Sequence, residues 1–307
     1  MSEKAAIAVV GAGLMGAGIA QVFASAGHRV ALFDASATAR ETALPRIRES
    51  FVAVGDDLSA VEAIELHENL ADAVADADFV FEAAPENLPL KQQIFVEIEA
   101  FAKSHAILAS NTSVIPITEI MAKLGDKTRA LGTHWWNPPY LVPLVEVIRT
   151  VESSDAAIEA TLALLASVGK TAVEVKRDIP GFIGNRLQHA LWREAIALVA
   201  AGVCDARTVD DVVKSSFGAR LAVLGPLENA DLVGTDLTRS IHGYLLPALD
   251  RSTVASPYLD QLVEQGRLGF KSGEGFYSWT AEQQAALRER VTNHLKASFG
   301  APTPTTE

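Results

Sequence analysis

Residues 6–16 read Ala-Ile-Ala-Val-Val-Gly-Ala-Gly-Leu-Met-Gly, an apolar run followed at once by a glycine-rich hexad. The run Ala6–Val10 predicts a strand buried on both faces, as in a parallel sheet. Gly11 permits a tight turn, and Gly13 lets a pyrophosphate approach the backbone. Gly16 allows the next helix to pack closely on the strand.

A helix predicted from Met15 to Ala26 follows, and the amides at its start (Leu14 and Met15) together with its dipole favour a bound phosphate. A second apolar strand, Arg29–Phe33, ends at Asp34. Its carboxylate can accept from both ribose hydroxyls and repels a 2′-phosphate, so the pattern predicts NAD rather than NADP. The alternative is a glycine-rich turn with a purely structural role.

The alternation of strands and helices continues. A strand over Phe79–Phe81 precedes Glu86, and a strand over Ala106–Ala109 runs into Ser110, Asn111 and Ser113. Open α/β sheets bind ligands just past the carboxyl ends of their strands. Glu86 and Ser113 are therefore site candidates, and Ser110 and Asn111 are assigned to the cofactor. The alternative for Ser113 is capping of a helix that Pro116 opens.

Thr133–Glu146 carries the residues best suited to chemistry. Its prolines make a stiff, non-helical connection after His134. Glu146 is the one acid in the apolar run Leu144–Ile148, and a buried carboxylate needs a partner. A carboxylate on one ring nitrogen of His134 would fix the tautomer and leave the other nitrogen as a base. The alternative is that His134 caps a strand and Glu146 faces water.

The segment Lys176–Gly181 marks a boundary, because no apolar run typical of a strand follows it. Before this boundary we predict a helix over Ser154–Val168 and a strand over Ala172–Val175. The later helices are predicted over Phe182–Ala201, Asp205–Ser216, Leu227–Leu246, Ser256–Gln265 and Ala281–Ala297. The predicted fold class is α/β, with a Rossmann domain over residues 1–178 and an all-helical substrate and dimerisation domain over 179–299. Residues 300–307, rich in Pro and Thr, are predicted to be disordered.

Composition excludes several classes of protein. The chain has 307 residues, of which 49% are hydrophobic and 21% charged, as in ordinary globular proteins. Its net charge of −12 argues against nucleic-acid binding, and the glycines that interrupt Ala5–Gly27 argue against a membrane span. A single cysteine, Cys204, favours a reducing, cytoplasmic location.

Seven ordered motifs together resemble the 3-hydroxyacyl-CoA dehydrogenase family. They are Gly11–Gly16, Asp34, Pro85-Glu86-Asn87, Ser110–Ser113, His134–Glu146, Pro180–Arg186 and Gly269–Tyr277. The resemblance implies that His134 is the general base, Glu146 its orienting carboxylate, and Ser113 and Asn185 the residues that hold the substrate oxygen. The resemblance also places Glu86 near the nicotinamide, assigns Asn137 to the substrate and implies a homodimer. The reaction that it implies needs no metal.

The substrate class is where the chain departs from the acyl-CoA members of the family. Those members tend to carry a lysine-rich helical hairpin that meets the CoA phosphates, but Ala35–Ala77 contains no lysine here. The chain is more similar to members that act on small free acids, such as the lambda-crystallin/L-gulonate, carnitine and pyridine-carboxylate dehydrogenases. We therefore expect a small 3-hydroxy acid or a related hydroxy or oxo carboxylate, with Arg193 binding its carboxylate.

Several alternatives remain open at this point. The chain could act on a short-chain L-3-hydroxyacyl-CoA, oxidise the aldehyde of an aromatic carboxylate through its hydrate, or bind NAD without catalysis as a crystallin-like protein. Trp135 and Trp136 either narrow the pocket or belong to the core. Arg193 either binds the substrate, faces solvent or forms a salt bridge across a dimer.

Overall fold

The computed structural model describes residues 4–299. Eight strands make one sheet: β1 (Ile7–Val10), β2 (Val30–Phe33), β3 (Ile64–His67), β4 (Phe79–Glu82), β5 (Ile107–Ser110), β6 (Ala130–Trp135), β7 (Leu144–Ile148) and β8 (Thr171–Val175). Their order is β3-β2-β1-β4-β5-β6-β7-β8. Only β6 and β7 pair antiparallel. The first six strands follow the Rossmann order, which reverses between β1 and β4.

Helices connect these strands and make up the later part of the chain. They are α1 (Leu14–Ser25), α2 (Ala37–Val54), α3 (Leu70–Val74), α4 (Leu88–Phe101), α5 (Ile117–Ile120), α6 (Asp155–Ser167), α7 (Gly184–Ala200), α8 (Ala206–Ser215), α9 (Pro226–Val233), α10 (Thr235–Leu245), α11 (Pro257–Glu264) and α12 (Ala281–Phe299). None of the helices in the described part of the chain is long and apolar enough to cross a membrane.

The sheet has a hydrophobic core on each face. In β1, Ile7 and Val9 belong to one buried cluster, whereas Ala8 and Val10 belong to the other. Successive side chains of a strand point to opposite faces, so a strand covered on both sides must be apolar throughout. This is why the run Ala6–Val10 is uninterrupted.

The sheet extends through a segment in which the sequence predicts no strand. Residues 35–77 contain α2 and β3, and β3 forms one edge of the sheet. Its residues Glu65, Leu66 and His67 are not buried, so the strand lacks the continuous apolar run that marks β1. An edge strand is only partly covered, and its sequence signal is correspondingly weak.

The chain forms two compact units. The first reaches Asn185 and takes in the chain again from Val291, and the second is Arg186–Arg290. In the second unit the regular elements of the described chain are helices, together with isolated bridges near Gly269 and Glu274. The predicted fold class, a Rossmann-like α/β sheet followed by a helical part, is confirmed.

One predicted helix is wrong in extent. The sequence predicts a single helix over Leu227–Leu246, but the structure has α9 and α10, with Gly234 between them at φ +98°. A backbone with positive φ cannot continue a right-handed helix, and glycine adopts it readily. The predicted disordered tail, residues 300–307, lies outside the described residues.

Candidate active site

The glycine-rich turn between β1 and α1 has one crowded glycine and one open glycine. A Cβ on Gly16 would lie 1.7 Å from the carbonyl oxygen of Gly11, so only glycine lets α1 begin this close to the turn. A Cβ on Gly13 would meet no described atom within 4 Å. Gly13 therefore leaves the backbone open to a ligand, and this is the arrangement that a dinucleotide pyrophosphate requires.

Asp34 follows β2 and contacts the same turn. Its Oδ2 accepts from the Ala12 N–H at 2.7 Å, and its Oδ1 accepts from the Ser36 N–H at 2.9 Å. Each carboxylate oxygen has a second lone pair, so both can still accept from ribose hydroxyls. Arg40 donates to the backbone carbonyl of Asp34 at 2.7 Å. The turn and Asp34 together fit NAD.

A cavity of about 790 Å³ begins at this turn. Most of the sequence-predicted site residues line it: Gly11, Gly13, Leu14, Met15, Asp34, Glu86, Asn111, Ser113, His134, Asn137 and Asn185. Gly16, Ser110, Glu146 and Arg193 are not among its lining residues. Gly11 and Asn185, which lie 174 positions apart along the chain, therefore share one cavity.

Glu86 and Asn185 contact the backbone of Ser113 from two directions. Glu86 Oε1 accepts from the Ser113 N–H at 2.6 Å, and Oε2 accepts from the Thr112 hydroxyl at 2.9 Å. Asn185 Nδ2 donates to the Ser113 carbonyl at 2.8 Å. The helix after Pro116 has no side-chain cap, so the capping alternative for Ser113 is not what the structure shows.

His134 and Glu146 face each other across the antiparallel pair β6 and β7. His134 Nδ1 lies 2.7 Å from Glu146 Oε2, with both side chains buried. Glu146 Oε1 accepts from the N–H groups of Ile183 and Gly184 at 2.9 and 3.1 Å. Burial alone would raise the pKa of Glu146. The hydrogen bonds from His134 and from these two N–H groups together lower the pKa by more than burial raises it, so the net shift is downward.

Aromatic rings surround His134. The Trp136 ring lies 5.1 Å and the Phe182 ring 5.7 Å from the imidazole, centroid to centroid. A Cβ on Gly184 would lie 2.4 Å from Trp136 Cζ2, so glycine makes room for this ring. Trp135, in contrast, is only 2% exposed and packs against Phe23 and Phe81. Trp136 thus belongs to the wall beside His134, and Trp135 mainly to the core.

A buried ion pair that the sequence analysis missed lies at the end of β4. Lys91 Nζ lies 2.7 Å from Glu82 Oε1, and neither side chain is exposed by more than 1%. Glu82 also accepts from the Ser110 hydroxyl at 2.6 Å and from the Ala84 N–H at 2.7 Å. Ser110, predicted to contact the cofactor, thus donates to Glu82. An acid that closes the apolar strand Phe79–Glu82 is the signal that could have revealed it.

Arg193 lies on α7 in the second unit and is exposed. Its Nη1 donates to the Ser252 carbonyl at 3.4 Å. The pKa of Asp250 is lowered, mainly by hydrogen bonds from Ser252 and to a smaller extent by the charge of Arg193. Arg193 therefore has an acid within electrostatic reach, although none of the residues three or four positions away on α7 (His189, Ala190, Ile196 and Ala197) is an acid.

A Rossmann sheet whose glycine-rich turn and Asp34 fit NAD, together with the family matches along the chain, defines an NAD-dependent dehydrogenase that acts on CH–OH groups. The chain belongs to the 3-hydroxyacyl-CoA dehydrogenase family. Residues 6–179 match its NAD binding domain, and residues 181–279 match its C-terminal domain.

Relatives in this family act on different substrates. The chain is 34% identical to 5-formyl-3-hydroxy-2-methylpyridine 4-carboxylate 5-dehydrogenase of Mesorhizobium japonicum, over 95% of this chain and 96% of that protein. It is 38% identical to a probable 3-hydroxybutyryl-CoA dehydrogenase of Bacillus subtilis, over 89% and 96%.

A solved structure is similar over nearly the whole chain. It is that of a 5-formyl-3-hydroxy-2-methylpyridine 4-carboxylic acid 5-dehydrogenase, described as an NAD+ dependent dismutase. The TM-score is 0.90 at 33% identity, covering 96% of this chain and 97% of that one.

Proposed function

We propose that the protein transfers hydride between NAD and the hydroxyl carbon of a small 3-hydroxy acid or a related hydroxy or oxo carboxylate. The contact that carries this proposal is the 2.7 Å pair of His134 Nδ1 and Glu146 Oε2 beside the cavity. With Nδ1 engaged, Nε2 is the nitrogen left to exchange a proton with a bound hydroxyl.

Each residue of the pair has a defined task in oxidation. His134 takes the hydroxyl proton while the carbon loses hydride, for which bound NAD supplies the acceptor. Glu146 keeps the ring oriented and stabilises the imidazolium that forms. The Ile183 and Gly184 N–H groups hold Glu146 as an anion, because they donate to Oε1. In the reverse direction, His134 returns the proton to the oxygen.

The remaining residues orient the reactants. Ser113 and Asn185 hold the reacting oxygen, and Asn137 contacts the substrate. Support comes from the shared cavity and from the Asn185 bond to the Ser113 carbonyl. Glu86 lies near the nicotinamide and fixes the Ser113 backbone. Such contacts accelerate a reaction through orientation rather than through proton transfer.

A free acid is favoured over a CoA thioester. Residues 35–77 contain no lysine, and two of their arginines are already engaged. Arg40 donates to the Asp34 carbonyl, and Arg46 donates to the Ala12 carbonyl at 3.1 Å. The polyanionic CoA would therefore meet little free positive charge on α2. The alignment with the pyridine-carboxylate dehydrogenase covers 95% of this chain, and the substrate in the name of that relative is a free acid, which supports the same choice.

That relative is named as a dehydrogenase of a formyl pyridine carboxylate, which supports a second candidate for this chain, oxidation of an aldehyde beside an aromatic carboxylate. His134 would take a proton from the aldehyde hydrate as hydride leaves the same carbon. The products are the carboxylic acid, NADH and a proton. Trp136, 5.1 Å from the imidazole, offers a flat apolar wall for an aromatic ring.

We further propose that Arg193 binds the carboxylate of the substrate and that the protein is a cytoplasmic homodimer. A guanidinium suits a bidentate carboxylate contact. Many apolar side chains of Arg186–Arg290 are exposed in the single chain, among them Leu227, Leu232 and Tyr244, as expected of a surface that a second copy covers. The single cysteine favours a reducing compartment.

The test is NAD reduction or NADH oxidation with four probes: L-3-hydroxybutyrate, L-carnitine, L-3-hydroxybutyryl-CoA and an aromatic formyl carboxylate. We expect turnover of a free acid and loss of it in His134→Gln. Preferred turnover of the thioester would overturn the substrate class, and preferred turnover of the aldehyde would select the second candidate. Absence of any turnover would favour the non-catalytic alternative.

The variant Arg193→Met tests whether Arg193 binds the carboxylate of the substrate. The Michaelis constant of the free acid should rise sharply, while NAD affinity and thermal stability stay at the wild-type level. Arg207→Met, which removes another arginine of the same unit, is the control. Unchanged kinetics in Arg193→Met would refute carboxylate binding.

A further inference from the structure

Lys170 is a partly buried cation to which the proposed reaction assigns no role. It lies between α6 and β8, and its ammonium group lies 5.7 Å from the centroid of the Trp135 ring. Burial lowers the pKa of Lys170 to about 8, and no carboxylate of the described residues offsets this shift. An ammonium group desolvated in this way costs stability, so the contacts that it makes must matter.

Lys170 donates to the backbone of the loop between β6 and β7, residues 136–143. Its Nζ donates to the carbonyls of Pro139 and Val142, the latter at 3.0 Å. Buried carbonyls need donors, and this loop has few N–H groups because three of its eight residues are proline (Pro138, Pro139 and Pro143). Lys170 supplies hydrogen-bond donors to the Pro139 and Val142 carbonyls of this loop. The adjacent Thr171 N–H donates to the Pro143 carbonyl at 2.9 Å.

The same loop also packs against α1. A Cβ on Gly18 of α1 would lie 2.8 Å from Pro139 Cδ, so the proline ring is in close contact with this helix. Asn137 lies two residues before Pro139 and lines the cavity. The loop thus contacts both α1 and Lys170, and its first residues, Trp136 and Asn137, line the cavity.

We propose that Lys170 is a positioning residue that fixes Asn137 in the cavity by fastening the 136–143 loop against α1. This inference rests on the proposed function, in which Asn137 contacts the substrate. Because the loop carries no internal strand or helix, a shift of its backbone moves Asn137 directly. Displacements of about 1 Å cost on the order of a hundredfold in rate when they misalign a reacting group.

The kinetic test compares Lys170→Met, Lys170→Arg and Lys176→Met. Met removes the donors, Arg retains them together with the charge, and Lys176 is an exposed lysine at the end of β8. We expect kcat to fall about tenfold or more in Lys170→Met, with NAD affinity retained, substantial recovery in Lys170→Arg and no change in Lys176→Met. All assays are run well below the melting temperature of each variant.

A spectroscopic test needs no substrate. Trp135 lies beside the ammonium group, so its fluorescence should titrate with a midpoint of about 8 in the wild type. Lys170→Met and Trp135→Phe should both lack this transition. Two titratable groups close to Trp135 in sequence can be distinguished from Lys170. Burial raises the pKa of Tyr140 above 10.0, and the variant His134→Gln removes the imidazole.

Wild-type kcat and Michaelis constants in folded Lys170→Met would overturn the positioning role, as would a loss of kcat that only follows the fraction unfolded. A tryptophan transition that persists in Lys170→Met would also overturn it. Failure of the proposed function gives a different result, namely a His134→Gln protein that turns over as the wild type does.

Discussion

Glu82 and Glu146 are two buried carboxylates on strands of the same sheet, each about 1% exposed or less. Glu82 accepts from Lys91, Ser110 and the Ala84 N–H. Glu146 accepts from His134 and from two N–H groups. Each therefore has three hydrogen-bond donors, and the main difference is that Glu82 is paired with a lysine whereas Glu146 is paired with a histidine.

The nature of that partner decides what each carboxylate can do. Lys91 and Glu82 form a buried ion pair at 2.7 Å, and neither residue lines the cavity, so this pair supports the fold. An imidazole gains and loses a proton near neutral pH, and His134 lines the cavity. The same buried acid is thus structural when it is paired with lysine and suited to proton transfer when it is paired with histidine.

The largest expected effect comes from removing the imidazole. His134→Gln should lower kcat by about two to four orders of magnitude, the usual contribution of general acid–base catalysis. NAD affinity should stay near normal, because Gln at this position leaves the glycine-rich turn untouched. Steady-state kinetics and NADH binding by fluorescence measure the two quantities. A variant with near-wild-type turnover would remove the distinction between the two carboxylates.

Breaking the other pair should affect folding instead. Lys91→Met leaves Glu82 buried without its counter-charge and should destabilise the protein by about 3–5 kcal/mol. Denaturant unfolding measures the change, and the double variant Lys91→Met/Glu82→Gln should recover part of it. Loss of turnover at unchanged stability would show that Lys91 serves chemistry rather than the fold.

Glu146→Gln tests the carboxylate without changing its size. Turnover should fall about tenfold or more, because the imidazolium loses its counter-charge. The acid limb of the pH–rate profile should move to lower pH for the same reason. A pH–rate profile identical to that of the wild type would mean that Glu146 does not act on His134.

Asp34 is a third carboxylate, but it lines the cavity and accepts only from backbone N–H groups. Asp34→Ala should weaken NAD binding by about tenfold, since hydrogen bonds to a charged group are lost. Discrimination against NADP should narrow, because the repulsion of a 2′-phosphate is removed. Isothermal titration with both cofactors measures this effect, and tighter binding of NADPH than NADH by the wild type would contradict the assignment.

The smallest expected effect concerns acid stability. The pKa of Glu146 is lowered from 4.5, so the folded state binds its proton less readily than the unfolded state does. The resulting stabilisation is present above pH 4.5 and is lost as the pH falls through the lowered value. The free energy of unfolding of Glu146→Gln, measured as a function of pH, should lack this part of the acid dependence. An identical pH dependence in the variant and the wild type would contradict this contribution of Glu146.

The local signals of the sequence predicted much of the Rossmann part. Strands β1, β2, β4 and β5 lie within about one residue of their predicted positions, because each is an apolar run bounded by glycine or polar residues. The break at Gly234 was missed, because a helical pattern continues on both sides of it.

The sequence by itself determined the fold class, the family, the NAD cradle and the residues from which a catalytic pair could form. Only the tertiary structure decided which groups contact the buried or partly buried charges. Glu146 contacts the N–H groups of Ile183 and Gly184, Glu82 contacts Lys91, and Lys170 contacts the 136–143 loop. The physical reason is distance along the chain. Propensity and periodicity act over a few neighbouring residues, whereas the partner of a buried charge is chosen by the packing of elements far apart in sequence.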